Sequence, residues 1–448
     1  MHVRPLESLE SRTMLTVTLD NGLLTIIGTD SPDLIQVNQN GAQIEVALNA
    51  LTTPFDASLV NQIRIEGLGE ADAINVNVNR STTILGGAGN DNITGSDGGS
   101  DDVFGNTGAD TFSGRGGDDK FTWNPGDGND VINGDAGNDT HVFNGSNGDE
   151  VMAATPNGSR VTFTRNLGNI VMDVGGFENL VVNALGGNDN VSGAVGLAPL
   201  ILMSFNGGDG NDVLNGSDGV DTFNAGAGND FVDGNRGNDV AFLGAGDDTF
   251  QWDPGDGSDR IDGEDGFDTM LFNGAAGDEV FEASANGSRL RFTRNVGTIV
   301  MDVGTTERID LRALGGNDGT TINDLGGTGV TSVIVDAGEG NDSFVGSALA
   351  ETFRGGAGDD TARFGAGDFL DMGAGTDTLQ FFGTDGHDNI HIHADDRGAD
   401  TEIRFHGTVG NQTAIFNGGE RVAVFTLAGN DKVKVHKRAA DLWDVSAT

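Results

Sequence analysis

A nine-residue repeat with glycine and aspartate at fixed positions limits what this chain can fold into. Residues 86–94 read GGAGNDNIT, so glycine holds positions one, two and four, aspartate holds position six, and a large apolar residue holds position eight. The same pattern recurs in three tracts, at 84–143, 205–272 and 333–382. A fixed period of this kind indicates a solenoid, in which each repeat packs on its neighbours.

The position-six aspartates are the main candidates for a functional role. In the first two tracts the phase is nearly unbroken, with one extra residue before Asp101 and two-residue insertions at Trp123 and Trp252. The third tract is worn, because Glu351 replaces an aspartate and the repeat near Asp368 is shortened. The candidates are Asp91, Asp101, Asp110, Asp119, Asp130 and Asp139 in the first tract, Asp212, Asp221, Asp230, Asp239, Asp248, Asp259 and Asp268 in the second, and Asp342, Asp360 and Asp377 in the third.

Two successive nonapeptides predict one coil of a parallel β-roll. The residues after each aspartate favour a short strand that points its apolar side chain inward, because side chains alternate along a strand. Depending on the phase, the inward residues are expected to be Ile93, Val103, Phe112, Phe121, Val213, Leu214, Phe223 and Phe250. Glycines at positions one, two and four are expected to adopt positive φ and to allow a close approach of neighbouring turns. The turn glycines expected to contribute to metal sites are Gly86, Gly89, Gly207, Gly210, Gly226 and Gly228.

Stacked coils would align the aspartates into columns of like charge. Strands stack about 4.8 Å apart, a spacing at which two carboxylates repel by about 1 kcal/mol in water and by several-fold more in a protein. Calcium reverses the sign, because it binds about six to eight oxygens and two turns offer carboxylates together with loop carbonyls. The pattern therefore predicts bound calcium, whereas magnesium fits poorly because it requires a tighter octahedron.

The overall charge excludes several classes of partner. The 448 residues include 69 acidic and 24 basic side chains, which gives a net charge of −45. A polyanion is repelled by nucleic acid and by anionic membrane surfaces. The absence of cysteine excludes disulfides and zinc–thiolate sites. Although charge and glycine content resemble those of disordered chains, 36 % of the residues are hydrophobic and regularly spaced, which argues for a folded protein.

At these repeats the sequence resembles the RTX, or haemolysin-type, calcium-binding repeat family. The resemblance covers the three tracts and implies an all-β, right-handed parallel β-roll or β-helix solenoid. It also implies that calcium is held by the position-six aspartate and the turn carbonyls, and that millimolar extracellular calcium triggers folding. Because proteases, lipases, toxins, epimerases and adhesins share the motif, it identifies a scaffold and no activity.

A longer repeat lies between the tracts. Residues 117–189 align without a gap on 246–318, and diverged relatives occur at both ends of the chain. The chain is therefore predicted to alternate tracts with strand-rich modules, interpreted as wider rungs of the solenoid; separate small β-domains are the alternative. The predicted modules are 17–83, 144–204, 273–332 and 383–448. No stretch reaches the roughly 18 apolar residues of a membrane span, so no membrane insertion is expected.

The amino-terminal segment 1–16 is interpreted as an export-related leader. It has no apolar run typical of an ordinary signal peptide. Its residues RPLESLESRTML, 4–15, resemble the short L-E-x-R-x-L-L type motif at the start of many planctomycete surface and secreted proteins, from which Ser11 and Met14 depart. The resemblance implies an extracellular or cell-surface location.

Several side chains outside the repeat pattern were assigned structural roles. His387, His391, His393 and His406 are interpreted as a polar outer face, with zinc or copper binding as the alternative. Arg165 and Arg294 are expected to be solvated strand-end charges that relieve the acidic field. Trp123 and Trp252 are expected to cap or bulge the roll; as exposed platforms for sugar rings they would instead form a binding site.

The sequence predicts a calcium-binding structural or adhesive protein outside the cell and no enzyme. It contains no zinc-protease, nucleophile-elbow or phosphate-loop motif. The expected partners are calcium ions and a surface polysaccharide, another cell-surface protein or a second copy of the chain. The alternative is a carbohydrate-active β-helix enzyme, a lyase or epimerase, and a toxin or passenger fragment is a further one.

Overall fold

The structure is a computed structural model that describes residues 15–363, 365, 368–382, 389–396, 401–407, 412–418, 421–425, 432–435 and 444–447. The chain forms two compact units: unit 1 comprises 1–209 and 217–219, and unit 2 comprises 210–216 and 220–448. In the described residues the regular structure consists of β-strands and three short 3-10 segments. The prediction of an all-β fold is confirmed. None of these residues forms a helix long and apolar enough to cross a membrane.

Short strands separated by glycine turns make up unit 1. Its strands are β1 (Thr16–Asp20), β2 (Leu23–Thr29), β3 (Leu34–Asn40), β4 (Gln43–Leu48), β5 (Leu51–Asp56), β6 (Gln62–Gly69), β7 (Ala73–Asn77), β8 (Thr82–Ala88), β9 (Asn92–Thr94), β10 (Asp101–Thr107), β11 (Thr111–Ser113), β12 (Lys120–Trp123), β13 (Val131–Asn133), β14 (Thr140–Ser146), β15 (Val151–Asn157), β16 (Arg160–Arg165), β17 (Ile170–Gly175), β18 (Asn179–Gly186), β19 (Asn190–Gly193) and β20 (Leu202–Asp209). The 3-10 segments of this unit are Ala57–Leu59 and Leu167–Asn169.

Unit 2 has the same construction. Its strands are β21 (Val213–Asn215), β22 (Thr222–Ala227), β23 (Phe231–Asp233), β24 (Val240–Ala245), β25 (Thr249–Trp252), β26 (Arg260–Asp265), β27 (Thr269–Asn273), β28 (Val280–Asn286), β29 (Arg289–Arg294), β30 (Ile299–Gly304), β31 (Arg308–Arg312), β32 (Gly319–Ile322), β33 (Ser332–Glu339), β34 (Ser343–Val345), β35 (Glu351–Ala357), β36 (Thr361–Arg363), β37 (Phe369–Gly375), β38 (Thr378–Phe382), β39 (Asn389–Asp396), β40 (Thr401–Gly407), β41 (Gln412–Gly418), β42 (Arg421–Phe425), β43 (Lys432–Val435) and β44 (Asp444–Ala447). Its 3-10 segment is Val296–Thr298.

Consecutive strands alternate between two parallel sheets within each tract, so that two nonapeptides form one coil. In unit 1, β8, β10, β12 and β14 pair in parallel in one sheet, and β9, β11 and β13 pair in parallel in the other. Val103 lies opposite Ile84 and Phe121 in neighbouring coils. The predicted parallel β-roll is therefore confirmed. In unit 2 the tract strands β22, β24 and β26 follow the same rule, as do β21, β23, β25 and β27.

Each module inserts a three-stranded antiparallel meander into one sheet. In unit 1, β13 pairs in parallel with β17, β17 and β16 pair antiparallel, β16 and β15 pair antiparallel, and β15 pairs in parallel with β19. Strands β26, β30, β29, β28 and β32 repeat this arrangement in unit 2. The module strands thus pair directly with strands of the neighbouring tracts. A meander lengthens one coil without interrupting the sheets.

The core is a file of apolar side chains between the two sheets of each unit. Ile93, Phe112 and Phe121 are all buried, as the alternation predicts. Of Val213 and Leu214, between which the phase left the choice open, Leu214 at position eight is buried, whereas Val213 faces outward and is partly exposed. The reason is the period of two along a strand, which sends adjacent residues to opposite faces.

The two inserted tryptophans belong to the core and do not cap the roll. Trp123 and Trp252 are both fully buried and stack on Phe143 and Phe272, with ring centroids 4.1 and 4.0 Å apart. The indole N–H of Trp123 donates to the carbonyl of Gly128 at 2.9 Å, so its polar group is satisfied inside. The predicted capping role is therefore wrong, and so is the alternative of a platform for sugar rings, since neither ring is exposed.

Candidate metal sites in the turns

Every position-six aspartate predicted from the sequence is buried at a turn. None of these carboxyl groups is more than 3 % exposed. The buried aspartates are Asp91, Asp101, Asp110, Asp119, Asp130 and Asp139 in unit 1 and Asp212, Asp221, Asp230, Asp239, Asp248, Asp259, Asp268, Asp342, Asp360 and Asp377 in unit 2. Burial of an ionised carboxylate is costly unless its charge is matched, so each turn requires a compensating group.

The first carboxylate oxygen of a column aspartate accepts a hydrogen bond from a backbone N–H of the preceding coil. The backbone N–H of Asp91 donates to Asp110 Oδ1 at 2.8 Å, and that of Asp230 donates to Asp248 Oδ1 at 2.7 Å. This bond recurs along the turns and builds columns. The columns are Asp33–Asp72–Asp91–Asp110–Asp130 and Asp101–Asp119–Asp139 in unit 1, and Asp212–Asp230–Asp248–Asp268, Asp221–Asp239–Asp259 and Asp318–Asp342–Asp360–Asp377 in unit 2.

The second oxygen of most column aspartates is buried without a hydrogen-bond donor among the described residues. A polar atom in this state is expensive to bury. The oxygens concerned are Oδ2 of Asp72, Asp91, Asp110, Asp119, Asp130 and Asp139 in unit 1, and of Asp230, Asp239, Asp248, Asp259, Asp268, Asp318, Asp342 and Asp360 in unit 2. The same atom of the motif lacks a donor at turn after turn, so it is the position at which a bound cation would satisfy the carboxylate.

The unsatisfied oxygen faces a carbonyl oxygen of the next coil. A Cβ atom built on Gly86 would lie within 2.7 Å of both Asp91 Oδ2 and the carbonyl oxygen of Gly105. Two electron-rich oxygens thus line one small space. They would attract a cation and would repel a further hydrogen-bond acceptor. Glycine at position one keeps that space free.

The roles of the predicted glycines divide by position. Gly89, Gly210, Gly226 and Gly228 have φ between 116° and 140°, as expected for the second and fourth positions. The expectation of positive φ at position one was wrong, because neither Gly86 nor Gly207 has it. At Gly86 the requirement is space next to the carboxylate, since a Cβ would overlap the aspartate oxygen.

Burial strongly perturbs the titration of these aspartates. Removal from water, together with the charge of neighbouring column carboxylates, raises the pKa of Asp110 and Asp230 to about 7. The pKa of Asp239 rises to about 8 for the same reasons, burial first. At neutral pH the ionised columns therefore oppose folding, since each raised pKa reflects a penalty on the charged form.

The donor set of the turns fits calcium. Hard oxygen ligands, carboxylates and backbone carbonyls, are those that calcium prefers. Asp91 and Asp110 of adjacent coils, with the carbonyl of Gly105, illustrate the set that would hold such an ion. Bound there, calcium would supply the positive charge that the columns lack. Backbone carbonyls are needed to complete such a set, because within the described ranges no group of three or more His, Cys, Asp or Glu side chains is placed to hold a metal by itself.

Besides Asp33, three buried turn aspartates were not among the candidates predicted from the sequence. Asp72, Asp189 and Asp318 are buried in turns outside the three tracts, and Asp318 Oδ1 accepts the backbone N–H of Glu279 at 2.8 Å. These turns depart from the motif because leucine holds position two, with φ of 75° at Leu314. A shorter signal, glycine two residues before aspartate and an apolar residue two after it, would have found Asp189.

The third tract keeps more of the repeat geometry in the structure than its irregular sequence suggests. Its column from Asp318 to Asp377 is continuous, although the other column is reduced to Glu351 and Asp368. Asp368 Oδ2 accepts the backbone N–H of Gly365 at 2.6 Å. Asp101 in the first tract is similarly satisfied, because its Oδ2 accepts the N–H of Ser96 at 2.6 Å. Neither of these two turns offers the unsatisfied oxygen that marks the others.

The two arginines of the modules are buried, which corrects their assignment as solvated charges. Arg165 and Arg294 are 7 % and 5 % exposed, and each forms an ion pair with a buried glutamate, Glu150 and Glu279 respectively. The antiparallel meander returns each arginine to the glutamate 15 residues before it, which the linear pattern did not reveal.

Two predictions concern segments outside the described residues. His387 and residues 1–14 of the interpreted leader are not described, nor are the side chains of His393 and His406. In the backbone pairing of β39 with β40, His391 lies opposite His406. Metal binding by this histidine cluster stays a prediction.

Comparison with protein families agrees with the turn geometry. The model of the RTX calcium-binding nonapeptide repeat matches residues 79–98, 96–122, 126–140, 204–232, 215–250, 255–271 and 336–368. These segments coincide with the three tracts that contain the aspartate columns. No curated protein matches the chain.

Proposed function

We propose that this chain, which carries RTX calcium-binding nonapeptide repeats, is an extracellular structural or adhesive protein whose coils are held together by calcium. The observation that supports this proposal is the row of buried Oδ2 atoms that lack a donor among the described residues. At several turns, such as those of Asp91, Asp119 and Asp360, this oxygen lies beside a carbonyl of the next coil. Calcium would join successive coils at these atoms. No other part of the described fold presents the same chemistry so many times.

The net charge of −45 favours a location outside the cell. A scaffold that needs many bound calcium ions folds where calcium is abundant and stays unfolded where it is scarce, because a ligand stabilises the state that binds it. The residues RPLESLESRTML near the amino terminus, similar to a motif of exported planctomycete proteins, favour the same location.

A structural or adhesive role is supported by the duplicated surface of the modules. Val151 in unit 1 and Val280 in unit 2 occupy equivalent positions and are each 53 % exposed, and the equivalent Val171 and Val300 are also exposed. Each unit therefore presents the same apolar patch once. Two equivalent weak contacts on one chain gain avidity when a partner engages both. A surface polysaccharide, another surface protein or a second copy of the chain would be the partner.

The experiment compares purified protein immobilised on beads in calcium and in chelator. We expect calcium-dependent clustering of the beads or capture on partner cells, and loss of both in the variant Val151→Glu with Val280→Glu. The matched control is Leu51→Glu with Leu59→Glu, which introduces the same two charges at residues 65 % and 58 % exposed elsewhere in unit 1. Depolymerisation or epimerisation of a uronate polymer by the purified chain would instead support a carbohydrate-active enzyme.

A further inference from the structure

Two buried carboxylates occupy the column position but are neutralised by the protein itself. The backbone N–H of Glu150 donates to Asp189 Oδ1 at 2.8 Å, and that of Glu279 donates to Asp318 Oδ1 at 2.8 Å. The same bond joins consecutive aspartates of a column. Glu150 and Glu279 are therefore position-six residues of diverged repeats, and both are 1 % exposed.

The space next to each glutamate matches the space next to a column aspartate. A Cβ atom on Gly145 would overlap Glu150 Oε2 and lie 2.8 Å from the carbonyl oxygen of Ala184. A Cβ atom on Gly274 would lie 2.6 Å from Glu279 Oε2 and 2.7 Å from the carbonyl of the next coil. Carboxylate and carbonyl oxygens thus converge here as they do beside Gly86. Unlike Asp91 Oδ2, however, Glu150 Oε2 accepts the backbone N–H of Ser146 at 3.2 Å and Glu279 Oε2 that of Ala275 at 2.7 Å.

An arginine supplies the positive charge at both turns. Arg165 Nε donates to Glu150 Oε1 at 2.9 Å, and its Nη2 donates to the same oxygen. Its remaining donors reach Ser146 Oγ at 3.1 Å and the carbonyl of Leu167 at 3.2 Å. The guanidinium also lies 5.5 Å from the centroid of the buried Trp123 ring, a cation–π arrangement.

The second unit repeats these contacts with different residues. Both Nε and Nη2 of Arg294 contact Glu279 Oε1, and Nη1 donates to the carbonyl of Val296 at 3.3 Å. The guanidinium lies 5.2 Å from the centroid of the Trp252 ring. Each buried guanidinium therefore meets a carboxylate, a carbonyl and an aromatic face, which together offset the cost of burying its charge.

We propose that Arg165 and Arg294 are built-in cations that take, at Glu150 and Glu279, the place of calcium at the column aspartates. The inference builds on the proposed calcium-dependent fold and adds a division within it. The carboxylates in the tract turns need a bound calcium ion to neutralise their charge, whereas the glutamates in the two module turns are neutralised by an arginine of the chain. Each unit then contains a calcium-independent region from which its coils can form when calcium arrives.

The meander explains why an arginine can serve at these turns. In the antiparallel pairing of β15 with β16, Arg165 lies opposite Met152, two residues after Glu150. In β28 and β29, Arg294 lies opposite Phe281, again two residues after the glutamate. The inserted strands thus deliver a cationic side chain into the turn, which a plain nonapeptide is too short to do.

The test uses the full-length chain with Trp443→Phe, so that Trp123 and Trp252 are the fluorescent reporters. Emission wavelength and acrylamide quenching are measured in calcium, in chelator and in urea, while far-ultraviolet circular dichroism follows the strands of the tracts. In chelator we expect loss of strand signal with tryptophans that remain blue-shifted and protected. Arg165→Met with Arg294→Met should expose the tryptophans in chelator to the extent seen in urea.

The matched control is Arg160→Met with Arg289→Met, which removes equivalent arginines of the same meanders. Arg160 binds Asp173 and Arg289 binds Asp302, away from the column position. These variants should keep the tryptophans protected in chelator. Protection that persists in the Arg165 and Arg294 variant would overturn the proposal.

Failure of this inference can be told apart from failure of the proposed function. If wild-type tryptophans become as exposed in chelator as in urea, the module turns also need calcium and the built-in cation is refuted, although calcium dependence stands. If strand signal is the same in chelator and in calcium, the proposed calcium-dependent fold itself is refuted.

Discussion

The turn of Asp230 and the turn of Glu279 belong to the same unit and share the same backbone bond to the next coil, yet their charges are met in opposite ways. Asp230 keeps a buried oxygen without a donor among the described residues, whereas Glu279 is paired with Arg294. The comparison separates two properties of the fold: the coil geometry comes from glycine and apolar spacing, and the charge must be neutralised by a separate cation. Where the cation comes from decides whether a turn depends on calcium.

Removal of calcium should distinguish the tract turns from the arginine-paired module turns most clearly. At neutral pH we expect chelator to unfold the tracts, because columns of buried ionised carboxylates lose their counter-charge. Far-ultraviolet circular dichroism and hydrogen exchange measure the effect, and peptides of the tracts should exchange faster than peptides of β28–β30. Magnesium at the same concentration should not restore the strand signal. A spectrum that is unchanged by chelator would contradict the prediction.

Acid should partly replace calcium in the tracts. In the calcium-free fold, burial raises the pKa of Asp230 to about 7 and that of Asp239 to about 8, while an unfolded aspartate titrates near about 3.9. The folded state therefore binds more protons between these values. Its stability is greatest below the unfolded pKa and is lost as the pH rises through about 7 to 8.

The corresponding experiment follows the strand signal in chelator from about pH 8 to about pH 5. We expect strand content to increase as the pH falls, and calcium affinity to decrease over the same range because protons compete for the carboxylates. A chelated chain that gains no structure on acidification would show that these aspartates do not control folding.

The aromatic core at the end of the middle tract should matter more than any single turn once calcium is saturating. Trp252 is fully buried and stacked on Phe272, so Trp252→Ala should destabilise unit 2 by about 3–5 kcal/mol through lost packing and a residual cavity. Thermal unfolding in excess calcium measures the change. Phe267→Ala, at a residue 44 % exposed, is the control and should have little effect.

A single column carboxylate should change calcium affinity more than the fold. Asp230→Asn keeps an oxygen for the backbone N–H of Asp212 but replaces the unsatisfied oxygen with an amide donor. We expect affinity at the neighbouring sites to fall about tenfold, equivalent to about 1.4 kcal/mol. Calorimetric titration measures it against Asp247→Asn, which makes the same charge change at an exposed residue. Similar losses in both variants would assign the effect to overall charge.

The smallest expected difference lies between the middle and third tracts. Asp230 has column neighbours on both sides, whereas Asp377 is the last aspartate of its described column. Asp230→Ala should therefore reduce calcium affinity more than Asp377→Ala does. Equal losses in calorimetric titrations would mean that position along the column is irrelevant.

The tract architecture could be predicted because its information is local. Nine residues specify a turn and a strand, and the phase alone aligns Asp91 with Asp110 one coil later. The diverged turns were missed because Leu314 adopts a positive φ that the pattern reserves for glycine. That conformation is costly for leucine and is tolerated only where the neighbouring coils impose it.

By itself the sequence determined the coil, the inward file of apolar residues and the recurring carboxylates, since each depends on spacing within a repeat. Only the tertiary structure decided the environment of Arg165 and of Trp123. The linear pattern predicts a solvated strand-end charge at Arg165 and a cap or bulge at Trp123. In the structure the meander folds the arginine back over 15 residues onto Glu150, against the face of the indole. A charged side chain can be buried when a group of opposite charge on another strand pairs with it. Which strands pair depends on contacts between distant segments, and the local sequence of either segment does not encode that pairing.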